Sequence, residues 1–225
     1  MPHIDVEMKA LQDKLLEMWD LVEYQLAGGH EALLNQDMVL AERVIKLGRK
    51  VNRYDIKIDR QCENFIALFN PLAVDLRQVL ASLKINNNLE RIGDTAEGIS
   101  RIVTKLKGPI PQELLDLSRT NEMYEKALLM LSSTRKVFLS SDTAEARLIL
   151  KQDKLLNKIY RQSDKVLARY MRENPDKIDV GLLLYNLIKK LERVGDQTTN
   201  IAEEIIFYRD AKVVKHRIKK KKKKD

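Results

Sequence analysis

A single cysteine, Cys62, among 225 residues leaves no partner for an internal disulfide, and so low a thiol count suits the reducing cytosol. Cys62 sits in a helical pattern beside Asn64 and Phe65, with no histidine near it in sequence to draw off its proton. It reads as a small buried hydrophobe rather than a nucleophile. Glycine (8) and proline (5) are scarce while Leu, Ile, Lys and Glu are abundant, which excludes a turn-rich β fold and favours helices. Aromatic residues make up 5% and none interleaves with the basic C-terminal residues, so a stacking platform for single-stranded nucleic acid is not expected. No apolar run approaches the roughly 18 residues of a membrane span. Residues 1–10 lack the apolar centre of a signal peptide, and a cytoplasmic protein is the expectation. Neither a G-x-x-x-x-G-K-[ST] loop nor a Gly-rich dinucleotide turn occurs, which disfavours nucleotide hydrolysis by this chain alone.

What charge there is lies unevenly. The formal net charge is +8, but from residue 212 onward Lys212, Lys215, Arg217 and the lysine run at 219–224 supply nine positive charges against the single acid Asp225. The rest of the chain is therefore neutral, no specific nucleic-acid binder, and net-charge recognition falls to a basic, flexible tail suited to weak contact with anionic membrane.

The body is patterned for helices. Leu11, Leu15, Trp19, Val22 and Leu26, and later Ile85, Leu89, Ile92, Ala96, Ile99 and Val103, follow steps of three and four. Turn signals at 35–37, 70–71, 108–111, 140–142 and 174–176 divide the chain into six helices over 6–34, 38–69, 72–106, 121–139, 143–172 and 180–210, with Pro71 at a first helical position and Gly28 and Gly29 loosening the first helix near its end. His30 reads as an exposed or capping residue. The two halves resemble each other: LERIGD at 89–94 returns as LERVGD at 191–196, Gln36-Asp37 as Ser141-Asp142, and Asn70-Pro71 as Asn174-Pro175. Short connections make neighbouring helices antiparallel. The expected fold is all-α: two tandem three-helix bundles, repeats at 1–107 and 121–211, joined by a linker at 108–120 and followed by the tail at 212–225.

Within each third helix Glu90 and Asp94, or Glu192 and Asp196, are four residues apart, which sets both carboxylates on one face with Cβ atoms roughly 5–6 Å apart. Like charges so placed repel, and a multivalent cation reverses the sign of that interaction; oxygen donors suit hard cations. Asn87 and Glu97 share the stripe in the first repeat, Thr199 and Glu203 in the second. Gly93 and Gly195 fall mid-helix, where glycine costs roughly 1 kcal/mol relative to alanine, so their recurrence suggests a close approach that a side chain would block. Two readings stand: a metal site in each repeat, or a solvated stripe whose acids pair with Arg91, Arg193 and their neighbours.

LERIGD and LERVGD resemble the paired E(D)xxxD signatures of the PhoU family of phosphate-signalling regulators, and the stretches at 70–77 and 200–204 are similar to that family too. The resemblance spans about 11–216 and implies two three-helix bundles related by a pseudo-two-fold, binding of iron or zinc, with manganese as a further candidate, singly or in small clusters, and a homodimer. It also implies an adaptor role between the ATPase subunit of a phosphate ABC transporter and a phosphate-sensing histidine kinase, restraining the phosphate-starvation response. The leading helpers from the second helices are Asp55 and Asp153. In the alignment of repeats Asp55 and Asp59 face Tyr160 and Asp164, while Asp153 faces Gly48, so the two sites need not be equivalent. Asn88 and Lys190 stand where relatives often carry a further acid. The alternatives are a carboxylate-bridged di-metal enzyme of ferritin-like type and a plain helical scaffold without metal. The first usually needs Glu-x-x-His pairs, and none of His3, His30 or His216 follows a glutamate by three.

Overall fold

The computed structural model describes residues 2–214, so the lysine run expected to form a tail lies outside the described residues. Seven α-helices follow in chain order among the described residues: α1 Pro2–Asn35, α2 Met38–Phe69, α3 Ala73–Val103, α4 Gln112–Ser118, α5 Thr120–Ser140, α6 Thr143–Glu173 and α7 Ile178–Asp210, with one 3-10 turn at Pro175–Lys177. There is no strand among the described residues. Helices α1, α2 and α3 pack on one another, as do α5, α6 and α7. Each trio is an up-down-up bundle.

The repeat shows in the helix starts. Gln36 and Ser141 both turn the chain in the left-handed region, at φ 52° and 58°, and the aspartate that follows caps the next helix. Asp37 accepts from Leu40 N at 2.9 Å; Asp142 accepts from Ala144 N and Glu145 N at 2.8 and 3.0 Å. The Asn-Pro turns are less alike. Asn70 ends α2 in the left-handed region and Pro71 stays outside α3, which begins two residues later, whereas Pro175 does open a helical turn. The 108–120 segment also differs from a bare linker, because α4 forms there and buries Leu114 and Leu115. Counting back from the matched caps, α4 stands where the opening turns of α1 stand in the first repeat, separated from α5 by Arg119 at φ 55°. Its two buried leucines are too few to show a period.

All six residues of the first apolar seam, Ile85 to Val103, are fully buried, and so are Leu184, Leu187, Leu191, Val194, Thr198 and Ile201 in the second. Cys62 is buried too, and desolvation pushes its thiol up to about 12, which leaves it inert near neutrality. The glycines near the end of α1 do not loosen it. A Cβ on Gly28 would come within 2.9 Å of Val44 Cγ2, and one on Gly29 within 2.9 Å of the Tyr124 hydroxyl, so both let neighbouring helices close in. His30, rather than capping anything, is half-buried within the last turns of α1 and stacks on Tyr124 at 4.2 Å.

Two helix pairs join the bundles. Between α1 and α5, Trp19 meets Phe138, Arg135 pairs with Asp20 at 2.7 Å and the Tyr124 hydroxyl donates to Leu26 O. Between α3 and α7, Lys84 pairs with Glu204, Asn200 donates to Asn88, and Lys190 lies across Gly98. These contacts climb one helix as they descend the other, so the pair is antiparallel. The repeat relation carries Asn88 onto Lys190 and Gly98 onto Asn200, and it exchanges the last two contacts. The pseudo-two-fold therefore passes through the middle of the pair, at the level of Gly93 and Gly195.

Candidate functional site

Both acid motifs lie beside this axis, each on the third helix of its bundle and facing the second helix. In the first repeat Glu90 of α3 lies near Asp94 and Asp55. Partial burial, then the charges of Asp94 and Asp55, raise the Glu90 carboxyl above its ordinary range. Asp55 is raised by burial and by Asp59. A buried side chain that the sequence pattern does not single out, Asn86, ties these two together: its amide donates to Asp55 Oδ1 at 2.8 Å, to the Asp55 carbonyl at 3.0 Å and to Asp59 Oδ1 at 3.0 Å. The one available signal was a polar residue next to Ile85 on an otherwise apolar seam.

In the second repeat Asp153 of α6 approaches Asp196 and Glu192 of α7. Burial first and Asp196 second push Asp153 up to about 6; burial, then Asp196 and Asp153, raise Glu192; Asp196 is raised by partial desolvation, its outer face remaining open to solvent. Asn157 donates to Asp153 Oδ2, but Asp153 Oδ1 is buried without a hydrogen-bond partner. That is a costly position for a carboxylate oxygen.

The mid-helix glycines make these approaches possible. A Cβ on Gly195 would stand 2.7 Å from both Asp153 Oδ1 and Leu156 Cδ2, whereas one on Gly93 would meet Val51 Cγ1 at 3.1 Å and Gln25 Oε1 at 3.3 Å. The repeats also trade an acid between helices. Where α6 sends Asp153 toward α7, its counterpart on α2 is Gly48, and α3 sends Glu97 into that gap, held by Arg101 at 2.6 Å. We expect Gly195→Ala to destabilise the protein by about 1–3 kcal/mol through overpacking. Gly93→Ala should stay within about 1 kcal/mol of wild type, because the helix preference for alanine offsets a milder contact. Urea unfolding of the two variants side by side checks this; equal effects would remove the close-approach role of Gly195.

Among the described residues no salt bridge reaches Glu90, Asp94, Asp153, Glu192 or Asp196, so Arg91 and Arg193 do not neutralise the stripe by direct pairing. Nor do three or more Asp, Glu, His or Cys side chains among them converge closely enough to hold one ion. The geometry is that of carboxylate pairs, each with a third acid close enough to feel their charge. Asp153 has a measurable consequence. Its folded value of about 6 exceeds the ordinary 3.8, so the metal-free native state keeps a proton that the unfolded chain has lost. The resulting stabilisation is full below about pH 4 and is lost as pH rises through about 6. Discounted for its solvent-facing side, it amounts to about 1 kcal/mol. In chelator, wild type should therefore lose about that much relative to Asp153→Asn between pH 4 and 7; parallel urea-midpoint profiles would contradict it.

A family model described as the PhoU domain matches residues 15–103 and 120–205. A phosphate-specific transport system accessory protein PhoU homolog from Burkholderia is 33% identical over 94% of this chain and 91% of its own length. The accessory protein PhoU of Escherichia coli is 32% identical over 91% of this chain and 84% of its own. Among solved structures, PhoU from Pseudomonas aeruginosa superposes with a TM-score of 0.88 at 28% identity, covering 92% of this chain and 99% of that one. The phosphate transport system regulatory protein PhoU from Streptococcus pneumoniae gives 0.86 at 26%, covering 94% and 99%.

Proposed function

The chain belongs to the PhoU family, and from that premise we propose that it is a cytoplasmic regulator of phosphate uptake and phosphate-starvation signalling. It acts as an adaptor, not an enzyme, between the ATPase subunit of a phosphate ABC transporter and a sensor histidine kinase, and it works as a homodimer. The observation that carries this reading is the accessory role named for relatives that align along nearly the whole chain. No helix among the described residues is long and apolar enough to cross a membrane, which accords with a partner that meets the transporter from one side. The basic residues beyond 214 add weak attraction to the anionic lipid around it.

In this reading Glu90, Asp94 and Asp55, and Glu192, Asp196 and Asp153, hold a cation in each repeat. The donor chemistry fits, with a carboxylate pair in each repeat that an ion would draw the third acid toward: the donors are all oxygen, burial and then neighbouring acids raise Asp55, Glu90, Asp153 and Glu192, and Asp153 Oδ1 is an orphaned buried acceptor. Such donors take manganese or ferric iron readily and accommodate zinc. The ion would supply charge neutralisation, and the protein's part is to present two helices whose acids otherwise push apart. The test is a tagged pull-down from phosphate-replete and phosphate-starved cells. Recovery of the transporter ATPase and the kinase, in proportions that change with phosphate, is the expected result; recovery of neither in both conditions would overturn the adaptor role.

A further inference from the structure

We propose that the cleft between α3 and α7 takes an oxyanion of the phosphate or phosphoryl class together with a divalent cation. This rests on the cation reading above and adds to it what the cation is for.

The cleft, about 630 Å³, lies across the pseudo-two-fold, and its acids are Asp94, Glu192 and Asp196. Its other charged lining is basic: Lys189, Lys190 and Arg193, all on α7. Among the described residues none of these three forms a salt bridge or a hydrogen bond with a carboxylate. Lys190 has a built seat. Its ammonium occupies the space that a Cβ at position 98 would need, so Gly98 lets it reach across α3. The equivalent of Gly98 is Asn200, so the seat exists on one side of the axis only. Two ammonium groups and a planar guanidinium fork in one cleft form a donor set matched to a tetrahedral oxyanion.

The charge balance determines when that anion enters. Three acids offset three bases, so a dianion approaching the empty cleft meets little net attraction. A divalent cation on the Glu192–Asp196 pair leaves the cleft with a surplus of about two positive charges, and a dianion then completes the balance. The two ligands are therefore coupled, and the coupling is reciprocal.

The experiment is calorimetric titration of the full chain, stripped with chelator, with manganous ion alone, inorganic phosphate alone, and phosphate in the presence of manganese; an adenosine triphosphate arm tests whether a nucleotide supplies the phosphoryl group. We expect manganese to tighten phosphate binding by roughly tenfold or more, and phosphate to tighten manganese by the same factor. Lys190→Gln combined with Arg193→Gln should abolish the coupling while manganese still binds in phosphate-free buffer. Gly98→Ala, which displaces Lys190 without removing a charge, should reduce it, with circular dichroism confirming the fold. If manganese binds and neither anion changes its affinity, this inference falls and the cation reading stands. If manganese does not bind at all, both fall. A larger coupling for the nucleotide than for phosphate would support the site and identify its source.

Discussion

Replacing Asp94 and Asp196 together by asparagine is expected to leave a folded helical protein that has lost most of its iron, zinc or manganese. The change keeps side-chain size and removes one negative charge from each repeat. Neither aspartate is in a salt bridge among the described residues, and both line the α3–α7 cleft, so no packing is lost with the charge. What remains, Glu90 with Asp55 and Glu192 with Asp153, is a weaker set because an amide oxygen is a poorer ligand than a carboxylate for a hard cation. Wild type at a metal concentration a hundredfold above its dissociation constant gains about 2.7 kcal/mol. For a chain of this length that is roughly 5–10 °C in midpoint. The double variant should lose most of that shift yet melt no lower than wild type in chelator, since the substitution relieves repulsion. Elemental analysis paired with thermal melts reads both. A wild type that carries no divalent or trivalent cation under reducing, chelator-free conditions would reduce the motif to a solvated charge stripe.

The largest loss of stability is expected from Trp19→Ala, about 3–5 kcal/mol. Trp19 is fully buried on α1 and its ring lies 5.8 Å from that of Phe138 on α5, so the cavity would open between the two bundles. The other contacts on that face are peripheral to Trp19: the Asp20–Arg135 pair, one residue along, is largely open to solvent on its acidic side, and Tyr124 holds Leu26 and stacks on His30 two to three turns away. Phe138→Ala should cost less, because Phe138 is slightly exposed. The double-mutant cycle should return a coupling of about 0.5–1.5 kcal/mol, as expected for an aromatic pair. Urea unfolding measures all three variants; a cost below 1 kcal/mol for Trp19→Ala would mean that the α1–α5 face adds little and that the α3–α7 pair alone holds the bundles together.

The helices were legible because burial on one face leaves a period, and the seams from Ile85 to Val103 and from Leu184 to Ile201 are buried as that period requires. The repeat was legible because caps and motif recur at matching places, and Asp37 and Asp142 do the same work in both halves. The approach behind Gly195 was visible in outline, since a glycine kept twice within a helix needs a reason. Less visible was anything that depends on which helix lies opposite. Gly28 and Gly29 looked like weak points because propensity is local, and their purpose is to admit Val44 and Tyr124 from other helices. Asn86 escaped notice because its three bonds run to α2. The exchange of Asp153 for Glu97 across Gly48 was only half seen, as an acid missing from one repeat, because its replacement comes from the other helix of the pair.

The symmetric joint between α3 and α7 has the form of an isologous interface, one surface meeting its own copy, yet both surfaces belong to a single chain. In a dimer of separate identical subunits every substitution at such an interface appears twice and must suit both places at once. Covalent tethering lifts that restriction, and it keeps the surfaces at an effective concentration no dilution can lower. Residue 98 could become glycine while residue 200 became asparagine, and residue 190 lysine while residue 88 became asparagine. One half of the joint can thus specialise in charge while the other remains a plain amide clasp, a division of labour closed to a true homodimer.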